Sequence, residues 1–331
     1  MTDCIDIHTH VVPERFPRYA GSRADVPWPS MAPAANCHQH IMISGKVYRT
    51  VADGCWSAPR RIEAMDRMRV GRQALSPMPE LLSYWLPLDD AGVLIRYIND
   101  EIARMVAASP QRFVGFGGVP LQDVDVAVRE LEYVVRDLGF AGVEIASHVN
   151  GVSIGDVRFA PFFAAAEEMN AAVFVHALRP AGQDRIVGRF SEQAVCFPGD
   201  IALAAASMIT GGLAARHPRL RIAFSHGGGA LPMLLPRLVH AWKHVPQAAE
   251  SIPESPAVYA RRFFYDCLVF DPAAIVFLVD SFGDSQIMVG SDYPFAMGDS
   301  DPRSTLEKAA LTPSVQEAIV GGNALRFLGM R

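Results

Sequence analysis

The chain has 331 residues, 50% of them apolar, and a formal net charge of −5 with both signs interspersed. This length and apolar content suffice for a substantial core and exclude a disordered chain, and the lack of a basic stripe gives no indication of a nucleic-acid partner. Five cysteines without a C-x-x-C pair predict a reducing compartment in which all five thiols are buried as small apolar groups, and not a disulfide framework.

The N-terminal segment MTDCIDIH has neither the basic nor the apolar region of a secretory signal. No continuously apolar stretch reaches membrane-spanning length. The nearest candidate, IALAAASMITGGLAA at 201–215, is rich in small residues that are typical of a packed helix. We therefore predict a cytoplasmic protein without a membrane partner.

Short β-rich runs alternate with longer segments of helical pattern along the chain. The candidate strands are residues 4–8, 71–76, 113–119, 142–147, 171–176, 220–226, 263–268 and 286–292. Helical patterns lie between them, at 124–139, 158–170 and 271–283. Eight strands alternating with helices predict a (β/α)₈ barrel of the TIM type, built as one domain over residues 1–331. A doubly wound open sheet is the alternative, but the first turn lacks the Gly-x-Gly signature of that fold.

Residues 11–60 interrupt this repeat after the first strand. The segment begins Pro-rich, and IMISGKVYRTV at 41–51 is typical of a small hairpin, so we predict an arm or lid and not a second domain. His38 and His40 lie in this insertion without a preceding strand, which favours exposed or lid residues over metal ligands.

Side chains able to bind a metal gather at the C-terminal ends of the predicted strands, where such barrels place their chemistry. His8 and His10 end the first strand, His176 the fifth, His226 the sixth and Asp292 the eighth. Residues two apart in a strand point the same way, so His8 and His10 can bind one ion together. Imidazoles with one carboxylate suit a divalent metal such as zinc, with manganese or iron also open, and leave a position for water.

The distribution of lysines limits the number of metal ions. No lysine occurs between Lys46 and Lys243, so strands two to six cannot supply a carboxylated lysine that bridges two ions, and we predict a mononuclear site. Asp292 could instead cap the segment after the eighth strand, and His226 could be a core histidine. The rim position of both residues, and the Gly-rich turn after His226, favour the functional roles.

Motifs along nearly the whole chain resemble the amidohydrolase superfamily and, within it, the 2-amino-3-carboxymuconate 6-semialdehyde decarboxylase family. The matching stretches include DIHTHVVPERFP, GKVYRTV, QALSPMP, RFVGFGGVPLQ, FFAAAEEMNAAVFVH, HPRLRIAFSHGGGALPMLLPRL, FYDCLVFDP, VGSDYPF and GNALRFLG. The resemblance implies a metal-dependent decarboxylase of an unsaturated or aromatic carboxylic acid that needs no organic cofactor. It implies that His8, His10, His176 and Asp292 bind one metal, that His226 lies beside the metal-bound water, and that Asp292 also shuttles protons.

Arginines are the expected clamps for a carboxylate substrate, since a guanidinium binds a carboxylate in bidentate geometry. The resemblance implies that Arg49 binds a substrate carboxylate and that Arg237 does so from the neighbouring subunit, which predicts a working homodimer. Trp85 and Phe295 are either walls for a planar conjugated substrate or ordinary core residues.

One segment departs from the family pattern. After His176 the family continues Pro-Trp-Asp, whereas this chain continues Ala-Leu-Arg-Pro and has Arg179 near where the family carries an acid. The departure bears on the substrate and not on the metal site. Two other functions remain open: a hydrolase of a lactone or amide of a dicarboxylate, and a non-catalytic metal-stabilised binding protein. The intact set of ligands and the proton-transfer histidine count against the last.

Overall fold

Eight parallel strands form the centre of the molecule. In the computed structural model, which describes residues 3–188 and 191–330, they are β1 (Ile5–Asp6), β2 (Arg72–Pro77), β3 (Phe113–Gly117), β4 (Gly142–Ala146), β5 (Ala172–His176), β6 (Arg221–Phe224), β7 (Phe264–Asp266) and β8 (Ile287–Met288). Each strand pairs with the next one along the chain, and a parallel bridge between Asp6 and Val289 brings the last strand back to the first. The predicted (β/α)₈ barrel is confirmed.

The two-residue alternation of a strand decides which side chains enter the barrel. In β5, Ala172 and Phe174 belong to the apolar cluster inside the barrel, whereas Val173 and Val175 belong to the core between the strands and the helices. His176 continues the inward series at the end of the strand. The same alternation that builds the core therefore aims this histidine at the barrel mouth.

The opposite end of the barrel is closed by the C-terminal helix Asn323–Leu328. The ring of Phe327 packs against Phe116 at 5.9 Å and against Phe264 at 5.3 Å between centroids, and all three belong to the inner cluster. Apolar side chains thus fill this end, which leaves the C-terminal ends of the strands for polar groups.

Helices form the outer layer of the barrel. The longer ones are Ala58–Arg67, Leu88–Ala108, Val124–Glu132 with its continuation Tyr133–Asp137, Ala160–Glu168, Phe197–Thr210, Leu231–His244 and Pro272–Phe282. Shorter helices are Leu213–Arg216, Pro246–Ala249, Pro256–Ala260, Pro302–Glu307 and Pro313–Glu317. Asp271 shows how one of them begins, since its Oδ1 accepts the backbone N–H of Ala273 at 2.7 Å and a proline follows at the first helical position.

The segment Glu192–Thr210 is the one described helix that is long and apolar enough to cross a membrane by length and composition, with a mean hydropathy of 1.3. In this fold Ile201, Ala205 and Ile209, spaced four residues apart, are buried in the core between strands and helices. The segment therefore packs against the barrel, as predicted for 201–215. A cytoplasmic location stays a prediction.

A three-stranded antiparallel sheet lies between β1 and β2 in the sequence. Its strands are Ser30–Pro33, His38–Ile43 and Lys46–Ala52, and we call it the insertion sheet. The predicted hairpin at 41–51 is part of it. His38 and His40 lie on its middle strand, and Ser30–Pro33 precedes them, so the expectation that no strand precedes these histidines is wrong. Their neighbours in the sequence gave no alternating apolar pattern, because this sheet is largely exposed on both faces.

The cysteines differ from the prediction at one position. Cys4, Cys55, Cys196 and Cys267 are buried, whereas Cys37 is exposed at the turn that precedes the middle strand of the insertion sheet. The prediction of a buried thiol is therefore wrong for Cys37, because a surface turn offers no core to cover it. All five cysteines are free thiols, as predicted.

Candidate metal centre

The four predicted metal ligands converge at the C-terminal end of the barrel. One ligand atom from each of His8, His10, His176 and Asp292 lies within 4.8 Å of the others. The Nε2 atoms of His8 and His10 are 3.2 Å apart, and Asp292 Oδ1 lies 3.0 Å from His10 Nε2 and 3.5 Å from His8 Nε2. His176 is the last residue of β5, whereas His8 lies two residues and Asp292 four residues beyond their strands.

Within the part of the chain that the structure describes, one imidazole nitrogen at this point has no hydrogen-bond partner. Burial lowers the pKa of His176 well below its ordinary value, so the ring is neutral. Its Nδ1 donates to the Ala177 carbonyl at 2.7 Å, and the buried Nε2 atom is left without a partner among the described residues. A buried nitrogen with a free lone pair is costly unless something binds it. Three imidazoles and one carboxylate around such an atom fit a single divalent metal ion.

Asp266, which was not among the predicted site residues, supports the ligand His8 and the neighbouring His226. The carboxylate is fully buried. Its Oδ2 accepts from His8 Nδ1 at 2.7 Å and from the backbone N–H of His226 at 2.9 Å, and its Oδ1 accepts the N–H groups of Gly227 at 2.8 Å and Leu268 at 3.1 Å. A proton held on His8 Nδ1 leaves Nε2 free to bind a metal. The signal that could have found Asp266 is a carboxylate inside the otherwise apolar predicted strand 263–268.

The charges of the site set the ionisation of its groups. Burial lowers the pKa of His8, but the hydrogen bond to Asp266 and the charges of Asp266 and Asp292 outweigh burial, so this pKa lies above its ordinary value. Burial raises the pKa of Asp292, but the hydrogen bond with His10 and the surrounding histidines bring it down to about 2. Burial lowers the pKa of His226 to about 4. At neutral pH Asp292 is therefore ionised and His226 is neutral.

Glu144 and Arg61 are further buried charged residues near the ligands. Glu144 Oε2 lies 3.7 Å from His10 Nδ1, and burial raises the pKa of this carboxyl well above its ordinary value. Arg61 donates to Oγ1 of Thr9, the residue between His8 and His10, at 3.0 Å. A carboxylic acid among the apolar residues of β4 could have identified Glu144 as a site residue from the sequence. A helical arginine such as Arg61 has no such signal, because most are exposed.

The backbone places His226 and Asp292 in the left-handed region, with φ of 54° and 58°. Histidine and aspartate tolerate this region better than most residues, and such outliers concentrate at functional sites. The turn after His226 also needs glycine, because a Cβ on Gly229 (φ 59°) would lie 1.8 Å from the Pro198 carbonyl oxygen. The SHGGG sequence thus shapes the turn that presents His226.

A cavity of about 970 Å³, here called the large cavity, opens over the metal ligands and is bounded on one side by the insertion sheet. Arg49, Phe295 and His226 all line it. The Arg49 guanidinium carbon lies 4.4 Å from the centroid of the Phe295 ring, and that ring stacks on His10 at 5.2 Å with an interplanar angle of 21°. The structure therefore brings Arg49 and Phe295 together with the ligand group.

Two other predicted site residues, Trp85 and Arg237, lie away from the large cavity of their own chain. Trp85 lines a separate cavity of about 420 Å³, here called the side cavity. Arg237 is exposed, and it is not among the described residues that line the large cavity of its own chain. His38 lines the large cavity, but within residues 3–188 and 191–330 neither His38 nor His40 joins the metal-ligating group.

Comparison with known proteins identifies the family. Residues 5–330 match the amidohydrolase family model. The 2-amino-3-carboxymuconate-6-semialdehyde decarboxylase of Dictyostelium discoideum is 35% identical over 98% of this chain and 91% of its own length. IDCase of Metarhizium anisopliae in apo form has a TM-score of 0.84 at 22% identity, over 99% of this chain and 97% of that one. A 5-carboxyvanillate decarboxylase variant of Novosphingobium aromaticivorans, with bound manganese and 3-methoxy-4-hydroxy-5-nitrobenzoic acid, has a TM-score of 0.72 at 26% identity, over 82% and 80%.

These matches span the barrel and the insertion alike, since the family model covers nearly the whole chain. The Metarhizium structure shows the shared fold, and the other two relatives are decarboxylases. The chain therefore belongs to the amidohydrolase superfamily and is a carboxy-lyase within it.

Proposed function

We propose that this chain is a metal-dependent, non-oxidative decarboxylase of an unsaturated or aromatic carboxylic acid, and that it needs no organic cofactor. We further propose 2-amino-3-carboxymuconate 6-semialdehyde or a close relative as its substrate. The observation that carries the proposal is one cavity, lined by a neutral histidine, an arginine and two of the four convergent metal ligands, His176 and Asp292. The Dictyostelium relative supports the muconate substrate, and the Novosphingobium relative supports an aromatic acid.

In this proposal His8, His10, His176 and Asp292 hold the metal. Zinc is the expectation from three imidazoles and one carboxylate, and the manganese of the Novosphingobium structure makes manganese the alternative. A bound divalent cation would lower the pKa of a water ligand towards about 7 and polarise substrate oxygens.

The chain's own side chains bind the substrate and move its proton. Arg49 forms no ion pair among the described residues, so its guanidinium is available for a substrate carboxylate. Phe295, stacked beneath Arg49, covers one face of a planar conjugated system. His226 is neutral at neutral pH, so a ring nitrogen can accept a proton and return it to the substrate.

The proton goes to the substrate carbon that bears the carboxylate, which interrupts the conjugation at that carbon. The bond between this carbon and the carboxylate then breaks, its electron pair re-forms the C=C bond, and CO₂ leaves. One proton replaces one CO₂, so no oxidant or reductant is consumed. Asp292, which keeps its charge at neutral pH, is the second group able to shuttle the proton.

We also propose that residues 11–60 act as a lid within a single domain that spans 1–331. The support is that the strand Lys46–Ala52 of the insertion sheet lines the large cavity and carries Arg49. A lid that carries a substrate-binding arginine would exclude water when the substrate binds.

A homodimer in which Arg237 reaches the neighbouring active site completes the proposal. Arg237 is exposed on the helix Leu231–His244, where Met233 and Leu234 are 71% and 41% exposed. Apolar side chains beside an exposed arginine fit a surface that a second copy covers. Arg49 would then bind one carboxylate of a dicarboxylate substrate, and Arg237 from the neighbouring subunit would bind the other.

Measurement of CO₂ release tests the function. The metal-free protein, supplied in turn with zinc, manganese or iron, would be assayed on unsaturated and aromatic carboxylic acids in D₂O. We expect metal-dependent CO₂ release and deuterium at the carbon that lost the carboxylate. Hydrolysis of a lactone or amide without CO₂ release would replace the decarboxylase with the hydrolase.

A further inference from the structure

Arg179 stands between the two cavities described above. It lines both the large cavity and the side cavity. On one side its Nη2 lies 2.5 Å from Oε1 of Glu80, which lines the large cavity. On the other side its guanidinium carbon lies 3.3 Å from the centroid of the Trp85 ring, which lines the side cavity. The half-exposed guanidinium therefore lies at the boundary of the two cavities, which Leu178 also lines, and we call this boundary the partition.

The partition is held in place by its partners. The Glu80 carboxylate is 5% exposed, and a buried carboxylate needs a paired charge. Arg179 supplies that charge through Nη2 and through Nε, at 3.2 Å and 3.4 Å from the two oxygens. The backbone of Arg179 is also fixed, with a φ of 47° and a carbonyl that accepts from His148 Nε2 at 3.2 Å.

The charge of Arg179 is neutralised within the protein by Glu80. A substrate anion would have to displace Glu80 and leave a buried carboxylate unpaired, which is strongly unfavourable. Arg49, by contrast, has no such partner among the described residues. The positive charge of Arg179, by which this chain departs from the family pattern after His176, is thus not available to bind a second substrate carboxylate.

We propose that the Arg179–Glu80 pair determines substrate size. It closes the large cavity towards the side cavity, so that the site takes a compact conjugated acid and rejects one that extends past the partition. This inference rests on the proposed function, because it concerns the substrate of the same site.

Calorimetric titration with two acids tests the partition through binding, so the result does not depend on turnover. Salicylate is the compact probe, and 3-hydroxy-2-naphthoate carries the same groups with a fused second ring. In the metal-loaded protein, Glu80→Gln with Arg179→Ala removes the partition without leaving a buried charge. The matched control, Glu80→Gln with Arg179→Met, keeps a long side chain.

We expect the alanine variant to gain at least about tenfold in naphthoate affinity relative to salicylate, because the additional ring would enter the side cavity. The methionine variant should keep the wild-type ratio. The same ratio of the two dissociation constants in all three proteins would overturn the proposal, as would a failure of all three to bind either acid. A thermal melt of each variant checks that it is folded.

Failure of the proposed function has a different signature. A wild-type protein that binds salicylate but decarboxylates no acid contradicts the function, while the affinity ratio still decides the partition. A wild-type protein that binds neither acid, beside an alanine variant that binds naphthoate, supports the partition.

Discussion

Replacement of Asp266 by asparagine should weaken metal binding without removing a ligand. The carboxylate accepts four hydrogen bonds, two on each oxygen. An asparagine keeps one acceptor oxygen, and its amide group donates, so in either rotamer two N–H groups face another donor. In the rotamer that keeps the bonds from Gly227 and Leu268, the amide faces His8 Nδ1. That contact favours a proton on His8 Nε2, the nitrogen that the metal needs.

The magnitude follows from these contacts. Each buried donor left without an acceptor costs about 1–3 kcal/mol. The free energy of unfolding should therefore fall by about 1–3 kcal/mol in the rotamer that keeps the Gly227 and Leu268 bonds, where only the His226 N–H loses its acceptor, and by about 2–6 kcal/mol in the other rotamer. Loss of the group that orients a ligand histidine lowers metal affinity by about 10- to 100-fold. The loss of metal affinity is specific to the site, whereas the loss of stability would follow from any loss of buried hydrogen bonds.

Competition with a chromophoric chelator at neutral pH would measure the metal affinity, and denaturant unfolding of the metal-free protein would measure stability. Asp137→Asn is the matched control, because Asp137 is exposed. It should change neither quantity. An Asp266→Asn protein with wild-type metal affinity, whatever its stability, would refute the reasoning that this carboxylate orients His8.

Three further outcomes test the division of roles. His226→Ala should keep its metal, because His226 is not one of the four ligands, but should lose about 10²- to 10⁴-fold in CO₂ release; metal analysis that shows loss of the ion would contradict this. Arg237→Ala should lower activity at unchanged metal content. Mixing it with Arg49→Ala should restore one active site per hybrid dimer, because that site has its own Arg49 and the Arg237 of the other subunit. An inactive mixture would exclude action across the dimer. Apparent metal affinity should fall as the pH is lowered through the raised pKa of His8, because a protonated imidazole cannot bind a metal, while Asp292, with a pKa of about 2, stays charged. Chelator competition over a pH series would show this, and an affinity that stays flat until below the ordinary pKa of histidine would contradict it.

The sequence alone determined the fold class and the position of the ligand group. Periodicity in the chain reports which residues share a face and where a strand ends, and the parallel strands of a barrel all end at one rim. Polar residues after strands far apart in the sequence, such as His10 and His176, must therefore meet. The exact strand lengths did not matter, since His8 and Asp292 reach the same point from beyond their strands.

Which charges pair with each other became clear only from contacts between distant parts of the folded chain. Glu80 lies 99 residues before Arg179, and no local pattern joins them, so the sequence could not show that the added arginine is neutralised. In the same way, the sequence left open whether Trp85 is a wall for the substrate or a core residue, and the structure places it beyond Arg179 in the side cavity. Pairing depends on distance in space and on burial, which periodicity does not encode. The metal ligands were therefore readable from the chain, whereas the size of the substrate site depends on contacts that form only in the folded protein.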